Sequence, residues 1–403
     1  MSLDIGIIGG GTAGAASAIL LGRAGHRVTV YEAVPNPGPV GAGIMLQPTG
    51  QWVLEKLGLL GPVLEHGAHL ERLHVRTTSQ KTLLDLHYRD LSPGLFGLGL
   101  QRGVLFQTLF EAAQKHATVH CGVEIRDLAR TADGRWLVDV GGKRHGPHQL
   151  VIVGDGAGSD LRDDTPLRSE VRHYSWGALW FLADHPPFPD RLQQVVRGTR
   201  KMLGMLPSGK GWGGRQEQVS LFWSLRCDQV ESWKKDFSGW KAEVLGMEPA
   251  AAPILEQIHH PEQLLFARYR DVWMSRWNTE DVVYLGDAAH AMSPQLGQGA
   301  NLALVDAWVL SECLAAAPPA QALANYSRLR RFNLLYYQLA TRYLTPFFQS
   351  DLEPVGWFRD VAMPLASKIP WVRRQMIASM AGVKNGLFSM MPLQSGRLLN
   401  GPH

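Results

Sequence analysis

Short apolar runs and longer amphipathic segments alternate along the chain, beginning close to its first residue. Residues 4–8 (DIGII) form an apolar run of strand length, and small and apolar residues then recur at helical spacing up to Gly25. A second strand pattern, HRVTVY, occupies residues 26–31. Because strand, helix and strand follow one another with short connections, we predict a parallel βαβ unit and an α/β fold at the start of the chain.

Later segments extend this pattern in three ways. The apolar runs 150–153 and 282–285 have the length of buried strands, and each of them leads into a Gly-Asp pair. Residues 219–226 (VSLFWSLR) have the composition and alternation of a β-strand, which predicts a second sheet. Residues 331–403 are richer in aromatic residues, Met and Arg, and we expect them to form amphipathic helices that end the chain.

The composition is that of an ordinary globular protein. With 403 residues the chain is long for one compact core, so two or three packed units are expected. Hydrophobic residues make up 45% and charged residues 19%. The net charge of +4 is unevenly distributed, since residues 320–403 contain ten Lys or Arg and three Asp or Glu. This basic region could contact nucleic acid, anionic lipid or acidic groups of its own domain, but no run of five like charges occurs there, which favours a solvated helical surface.

Cysteine usage and the first residues set expectations about metals and location. Cys121, Cys227 and Cys313 are far apart and form no CxxC pair, so neither a zinc site nor a disulfide framework is predicted. Three histidines between residues 66 and 74 lack the spacing of a metal cluster, and no metal is expected. No basic segment precedes the first strand, and no uninterrupted apolar stretch is long enough to span a membrane. The chain is therefore expected to be cytoplasmic.

The turn after the first apolar run carries a phosphate-binding pattern. In the sequence GGGTAG, Gly9 permits a tight turn, Gly11 allows close approach to a pyrophosphate, and Gly14 lets the helix pack on the strand. The free N–H groups at the start of the helix favour phosphate. Glu32 ends the second strand pattern, where a carboxylate can accept hydrogen bonds from a ribose 2′-hydroxyl. This motif therefore predicts FAD or NAD rather than NADP, and by itself it does not decide between FAD and NAD.

Two further glycine-bearing turns follow the later strand patterns. GDGAGSDLR occupies residues 154–162, and GDAAH occupies residues 286–290, followed by Ser-Pro at 293–294 and GQGAN at 297–301. Asp287 stands at the carboxyl end of a predicted strand, where ligands bind in open α/β sheets. The last turn opens a predicted helix, whose first N–H groups can stabilise negative charge on a bound group.

Together these motifs resemble the class A flavoprotein monooxygenases, the p-hydroxybenzoate hydroxylase family, whose GxGxxG, DGxxSxxR and GDAAHxxxP motifs occur here in the same order. The resemblance covers roughly residues 1–330. The sequences GAGIMLQPTG (41–50) and MSPQLGQGANLAL (292–304) are most similar to the branch of salicylate-, 3-hydroxybenzoate- and phenazine-type hydroxylases. The resemblance implies an α/β, Rossmann-like FAD-binding domain, a β-sheet substrate domain and a helical C-terminal region.

The domain boundaries implied by the resemblance make the FAD-binding domain discontinuous. The expected divisions are residues 1–75, 100–170 and 270–330 for the FAD-binding domain, 76–99 and 171–269 for the substrate-binding domain, and 331–403 for the C-terminal helical region. The last region has three possible roles: a cover over the substrate domain, a homodimer contact, or a peripheral membrane surface.

The resemblance also implies which residues bind FAD. They are Gly9, Gly11, Thr12, Ala13, Gly14, Glu32, Ala33, Gly43, Ile44, Arg102, Val123, Asp155, Asp287, Pro294, Gly297, Gly299, Ala300 and Asn301. Arg102 is expected near the pyrophosphate, Val123 in a strand near the adenine, and Pro294 beside the flavin ring. His290 is expected near the flavin in a structural role rather than in proton transfer, and no further catalytic side chain is assigned.

The activity implied by the resemblance is hydroxylation of a small aromatic molecule. NADH or NADPH would act as a transient co-substrate that reduces bound FAD, and O2 would then form a flavin C4a-hydroperoxide that transfers oxygen to the substrate. A flavin-dependent reductase or another oxidoreductase on the same fold is an alternative, and a reductase would turn over without oxygen. A flavin-dependent sensor or membrane adaptor, whose basic C-terminal region makes the functional contact, is another.

Overall fold

The computed structural model describes residues 2–184 and 191–391 of the chain. Residues 185–190 of the predicted substrate domain and residues 392–403 of the predicted helical region lie outside the described residues. The strands, in chain order, are β1 (Asp4–Ile8), β2 (Arg27–Glu32), β3 (Gly43–Leu46), β4 (Ala68–Leu70), β5 (Arg72–Thr77), β6 (Thr82–His87), β7 (Gly97–Gln101), β8 (Thr118–Cys121), β9 (Ile125–Thr131), β10 (Gly134–Asp139), β11 (Arg144–His148), β12 (Leu150–Val153), β13 (Ser169–Asp184), β14 (Arg191–Arg197), β15 (Lys201–Lys210), β16 (Glu217–Arg226), β17 (Leu265–Met274) and β18 (Val282–Tyr284).

Proline marks the start of several helices, because its fixed φ suits the first helical position and its missing N–H is not needed there. Pro48, Pro319 and Pro370 each open a helix in this way. The helices, in chain order, are α1 (Thr12–Arg23), α2 (Pro48–Lys56), α3 (Leu60–His66), α4 (Arg102–Gln114), α5 (Val230–Lys235), α6 (Phe237–Met247), α7 (Ala252–Leu255), α8 (Asp287–His290), α9 (Gly299–Ala316), α10 (Pro319–Phe348), α11 (Glu353–Ala366) and α12 (Pro370–Met380).

A five-stranded parallel sheet positions the predicted nucleotide motifs. Its order is β18-β12-β1-β2-β8. Every residue of β12 and β18 is buried, as expected for parallel strands that helices cover on both faces. Helix α1 packs against both α4 and α9. Since all five strands run in the same direction, the turns that follow them meet at one edge of the sheet, where ligands of such folds bind.

A seven-stranded sheet forms the second large layer, in the order β17-β13-β16-β15-β14-β5-β6. Alternation along β16 separates two faces. Leu221 and Trp223 pack in an outer core with α5, α6 and α7, while Phe222 belongs to a separate apolar cluster on the inner face. A smaller sheet, β3-β7-β4, contacts β15, so the FAD-side strand β3 lies against this large sheet.

The C-terminal helices connect the two layers. The first part of α10 contributes Tyr326, Leu334 and Tyr337 to the core of the parallel sheet, and Phe348 at its end joins the apolar cluster on the inner face. Helix α10 therefore covers that face, which agrees with the first of the three roles proposed for this region.

Helix α9 is long and apolar enough to cross a membrane by length and composition, and 61% of it is buried inside the protein, as in a core helix.

The division into domains remains a prediction, and the sheets show where its boundaries would fall. Strand β5 begins at Arg72 and β17 ends at Met274, so the seven-stranded sheet extends a few residues beyond the predicted ranges 76–99 and 171–269. These strands pair across long sequence distances, for example β5 with β14, which a local reading of the chain cannot detect.

Candidate active site

The first two glycine-bearing turns contact each other directly at the carboxyl edge of the parallel sheet. Gly9 has a φ of +93°, and a Cβ placed on it would lie 2.6 Å from the carbonyl oxygen of Gly154 and 2.9 Å from the Cα of Asp155. A Cβ on Gly14 would collide with the carbonyl oxygen of Gly9. Glycine is therefore required at both positions, because only its missing side chain lets the second turn and helix α1 approach the first turn this closely.

The third turn packs on the first and is tied to the second. Gly286 has a φ of +58°, and a Cβ placed on it would lie 3.2 Å from the Cβ of Ala13. The buried guanidinium of Arg162, the last residue of the second motif, donates hydrogen bonds to the carbonyl oxygens of Ala288 (2.8 Å) and Ala157 (3.1 Å). Three turns from distant parts of the chain thus converge, as the motifs predict.

Open space remains where a dinucleotide phosphate would approach. A Cβ on Gly11 would meet no atom within 4 Å, and the same is true of Gly156 in the second turn. Helix α1 begins beside Gly11 without a side-chain cap, so the N–H groups of its first residues, Thr12 and Ala13, remain free of helical partners. The close-packed glycines and the open ones together form a cradle that suits a pyrophosphate.

The end of β2 holds Glu32, the predicted ribose-binding residue, in a fixed orientation. Both carboxylate oxygens of Glu32 accept backbone hydrogen bonds, from the N–H of Gly10 (2.7 Å) and of Val34 (2.9 Å). These bonds fix the carboxylate, and each oxygen retains a lone pair for a hydroxyl group. Ala33 is exposed beside it. Val123, which was expected in a strand, lies instead in the loop between β8 and β9, where its N–H donates to the carbonyl oxygen of Glu32 (2.9 Å).

Arg102 lies at the start of α4, as predicted, and its side chain is exposed. Its backbone N–H donates to the carbonyl oxygen of Ala42 (3.0 Å), which holds it against the loop before β3. Within residues 2–184 and 191–391 its guanidinium forms no ion pair. A positive side chain that is exposed and unpaired beside the cradle suits an anionic cofactor.

Strand β3 links this edge to the seven-stranded sheet. The N–H of Gly43 donates to Ser220 Oγ (3.1 Å), and a Cβ on Gly43 would collide with Ser208 Oγ. Ile44, the next residue, is half-buried and pairs with Leu100 of β7. The predicted flavin-side residues of β3 therefore lie between the parallel sheet and the inner face of the large sheet.

Two carboxylates of the motifs are accessible at this edge. The Asp287 side chain is exposed, and its Oδ1 lies 3.6 Å from the position that a Cβ on Gly299 would occupy. Asp155 is also accessible to solvent, yet surrounding protein raises the pKa of this carboxyl to about 6 by partial desolvation.

The turn between α8 and α9 is held in place by Asn301. A 3-10 turn spans Pro294–Leu296, Gly297 adopts the left-handed conformation (φ +60°), and α9 then begins without a side-chain cap. Asn301 is buried: its Oδ1 accepts from the N–H of Gln47 (2.8 Å), and its Nδ2 donates to the carbonyl oxygens of Gly297 (3.0 Å) and Met45 (3.2 Å). Its side chain is fully used within the protein, so contacts from this turn to a ligand would come from main-chain N–H groups, including that of Ala300.

His290 belongs to a buried ionic network. Its Nε2 lies 2.6 Å from Asp306 Oδ2, which also accepts from the N–H of Gly286 (2.9 Å), while Asp306 Oδ1 accepts from Arg330 Nε (2.7 Å). Burial would raise the pKa of Asp306, but the neighbouring charges of His290 and Arg330 lower it to about 2. This arrangement supports a structural role for His290, since the nitrogen that could transfer a proton is held by a buried carboxylate.

Sequence reasoning missed Asp306 and Arg330, although one signal was present. Residues 299–311 contain one charged side chain, Asp306, and the other 12 residues are apolar, small or uncharged polar. A lone acid in a helix of this kind must be paired when it is buried. Its partner, Arg330, lies on another helix, and the sequence contains no pattern that connects the two.

An apolar cluster lies on the other side of β3, between the inner face of the large sheet and the C-terminal helices. We refer to it as the inner cluster. It is formed by Met45 of β3, Trp180 and Phe222 of the sheet, and Leu344 and Phe348 of α10, among others. The rings of Trp180 and Phe222 are 5.1 Å apart. Apolar and aromatic walls of this kind suit a flat organic substrate.

The histidines between residues 66 and 74 each have other partners. His66 stacks on Trp212 and His69 on Phe96, while His74 Nδ1 lies 2.9 Å from Gln193 Oε1. Among the residues that the structure describes, no group of three or more His, Cys, Asp or Glu side chains is arranged to hold a metal ion.

Comparison with known proteins identifies the family. Residues 2–332 match the family model described as FAD binding domain. The chain is 27% identical over 403 aligned positions to the 3-amino-4-hydroxybenzoate 2-monooxygenase of Streptomyces platensis, covering 91% of this chain and 93% of the relative. It is 30% identical over 353 positions to the kynurenine 3-monooxygenase of Xanthomonas campestris pv. campestris, covering 81% and 75% of the two chains.

Solved structures share the fold. HpxO of Klebsiella pneumoniae, crystallised with FAD and uric acid, superposes with a TM-score of 0.78 at 21% identity and covers 93% of this chain and 97% of its own. PqsL of Pseudomonas aeruginosa, crystallised with 2-aminobenzoylacetate, gives a TM-score of 0.77 at 22% identity, with 89% and 100% covered. The chain therefore belongs to the FAD-binding-domain family, and it is an FAD-dependent monooxygenase of the class A, p-hydroxybenzoate hydroxylase-like group.

Proposed function

We propose that this enzyme uses NADH or NADPH and O2 to hydroxylate a small, electron-rich aromatic compound. The observation that carries the proposal is the convergence of three turns at one edge of the parallel sheet, with open space at Gly11 and Gly156. FAD would lie across this edge, its pyrophosphate at the start of α1 and its ribose near Glu32. When bound, FAD supplies the chemistry that accepts hydride and activates oxygen.

The protein's own contribution is to position and to stabilise charge. Arg102 and the N-terminus of α1 attract the phosphates, and Asp287 offers an acceptor to a hydroxyl group of the cofactor. The N–H groups of Gly299 and Ala300 at the start of α9 would stabilise negative charge on the reduced ring system, because the positive end of the helix dipole lies there. We infer these roles from the position of each group and from the resemblance of the motifs.

The inner cluster suggests the class of substrate. Met45, Trp180, Phe222 and Leu344 present apolar surface next to the flavin-side strand β3. A flat ring would bury apolar area there, and the enclosed surroundings would keep water away from the reacting atoms. The relatives support this proposal, because their names describe enzymes that act on hydroxylated or amino-substituted aromatic acids.

Oxygen labelling tests the proposal. The purified enzyme is screened against phenols, quinolones, phenazines and hydroxybenzoates for compounds that accelerate NAD(P)H oxidation. The product of any active compound should contain one atom of 18O when the reaction is run under 18O2, and none from labelled water. If the enzyme and NAD(P)H instead reduced the compound equally fast with and without oxygen, the protein would be a reductase. The cytoplasmic location stays a prediction.

A further inference from the structure

The C-terminal helices expose a large apolar surface to solvent. We define the aromatic face by its members, all of which are more than half exposed: Trp357, Phe358, Val361, Leu365, Ile369, Trp371, Leu387 and Phe388. Trp357 is 73% exposed and Phe388 75%. Single exposed apolar side chains are common, but this many in one region mark a surface that binds something.

Several members of the aromatic face are neighbours. Trp357, Val361 and Leu365 follow one another at four-residue spacing, so they form a stripe along one side of α11. Ile369 continues the stripe into the turn before α12. Trp371 at the start of α12 then approaches Phe388, with ring centroids 6.4 Å apart.

The opposite side of α11 is firmly attached, so the helix presents this face in a fixed orientation. Arg359 is fully buried, and its Nη1 donates to the carbonyl oxygens of Phe347 (2.7 Å) and Gly198 (3.0 Å). A Cβ on the buried Gly356 would lie 3.1 Å from Thr199 Cγ2, which shows how closely the helix approaches the sheet. The exposure of the aromatic face is therefore a property of the packed fold.

The charges along the aromatic face are unevenly distributed. Glu353 and Asp360 lie on α11 near its first members, whereas residues 361–391 contain Lys368, Arg373, Arg374 and Lys384 and no Asp or Glu. Lys384 is buried, and Arg373 pairs with Asp90 (2.7 Å). Lys368 and Arg374 remain exposed beside the apolar side chains, and within the described residues neither forms an ion pair.

We propose that the aromatic face is a membrane-binding surface for anionic lipid bilayers. Tryptophan and phenylalanine side chains partition into the boundary between headgroups and acyl chains, and lysine and arginine at the rim attract anionic headgroups. A second copy of the chain is the alternative occupant of this face, and the experiment below distinguishes it from lipid. The surface supports peripheral binding, with the helices lying in the plane of the membrane.

Vesicle sedimentation of the full-length holoenzyme tests this proposal. Wild-type protein should sediment with vesicles of equal parts phosphatidylcholine and phosphatidylglycerol, and less with phosphatidylcholine alone. The double variant Trp357→Ser/Trp371→Ser should bind the mixed vesicles roughly tenfold or more weakly, since two large apolar side chains no longer enter the lipid. The charge variant Lys368→Gln/Arg374→Gln should lose the preference for anionic vesicles.

A matched control removes exposed apolar side chains elsewhere. Val140 lies in the turn between β10 and β11. Leu265 lies on β17, which forms one edge of the seven-stranded sheet, whereas α11 contacts β6 at the other edge. The variant Val140→Ser/Leu265→Ser should bind vesicles like the wild type, and all variants should retain the wild-type flavin absorption spectrum. Absence of sedimentation by wild-type holoenzyme would overturn the proposal. A lipid-free dimer that Trp357→Ser/Trp371→Ser dissociates would also overturn it, and would identify the face as a subunit interface.

Discussion

At the scale of single residues, Gly11 and Gly14 belong to one turn and have opposite environments. A side chain on Gly14 would collide with the backbone of Gly9, whereas a side chain on Gly11 would meet no protein atom within 4 Å. The sequence motif predicts glycine at both positions but does not distinguish a glycine required by the fold from one required by a ligand. The structure separates the two, because only the first is crowded by the protein itself.

This difference predicts the effect of two substitutions. Gly11→Ala should leave the unfolding temperature of the FAD-free protein unchanged and weaken FAD binding by about tenfold or more, because its methyl group occupies the space proposed for the pyrophosphate. Gly14→Ala should destabilise the FAD-free protein itself. Gly61→Ala, at another uncrowded glycine, serves as the control for FAD affinity, which it should leave unchanged, and within helix α3 it should stabilise the fold slightly. Calorimetric titration with FAD and thermal unfolding measure the two effects, and an unaltered FAD affinity of Gly11→Ala would contradict the proposed position of the phosphates.

Asp155 predicts a specific dependence of stability on pH. Its pKa in the folded protein, about 6, lies above the value of about 3.9 expected in an unfolded chain, so folding disfavours the ionised form. The resulting destabilisation is absent below about pH 4 and complete above about pH 6. Asp155→Asn should therefore raise the unfolding temperature of the FAD-free protein at about pH 8 and leave it unchanged at about pH 4.

The exposed Asp163 of the same turn provides the control for this pH experiment. Asp163→Asn should show no comparable difference between the two pH values. If Asp155→Asn changed the unfolding temperature equally at both, desolvation of the carboxylate would not be the cause.

At the scale of elements, the buried Asp306 joins three helices. It binds the start of α8 through Gly286, His290 at the end of α8, and Arg330 on α10, while itself belonging to α9. The sequence predicts a helix that begins after the third turn and amphipathic helices from residue 331 onward, but it predicts neither α8 nor the start of α10 at Pro319. The ionic contacts were not predicted either, because they join positions 16 to 24 residues apart on different elements. The third glycine-bearing turn owes its position to this network.

Removal of the Asp306 charge should therefore be costly. Asp306→Asn leaves Arg330 buried without its charged partner and should lower the free energy of unfolding by about 3–5 kcal/mol, measured by urea denaturation of the FAD-free protein. Because the folded pKa of Asp306 is lowered to about 2, the stability it confers is present above about pH 4 and is lost as the pH falls towards 2. The control is Arg328→Met, at an exposed arginine of α10, the helix that also carries Arg330. This substitution should change the free energy of unfolding by less than about 0.5 kcal/mol. Equal urea midpoints for Asp306→Asn and wild type would contradict the role of the network.

Gly204 controls one wall of the inner cluster. A Cβ on this residue of β15 would collide with the ring of Phe222 on the neighbouring strand, so Gly204→Ala must displace the ring. We expect a destabilisation of about 1–3 kcal/mol and, since the ring would move within the proposed substrate site, a raised KM with little change in FAD affinity. Gly246→Ala in α6, where nothing lies within 4 Å, is the matched control. An unchanged KM for Gly204→Ala would place the substrate elsewhere.

At the scale of the whole molecule, the sequence allowed prediction of what short motifs encode. The strand–turn–helix order and the α/β class follow from glycine positions and apolar runs, while the approach of the three turns is implied by the family resemblance of their motifs. The structure contains all three features. The parallel pairing of β5 with β14 does not follow, because 119 residues separate His74 from its partner Gln193. The exposed aromatic face also needed the structure, since periodicity predicts an amphipathic helix without showing whether its apolar side is covered.

FAD binding to the FAD-free protein tests the central claim most directly. Calorimetric titration should give one FAD per chain, and FAD at about 100 times its dissociation constant should stabilise the fold by about 2.7 kcal/mol, because the ligand binds only the folded state. The reconstituted protein should be yellow. The account would be contradicted if the protein took up no FAD. It would also be contradicted if the variant Gly11→Leu bound FAD as tightly as the wild type.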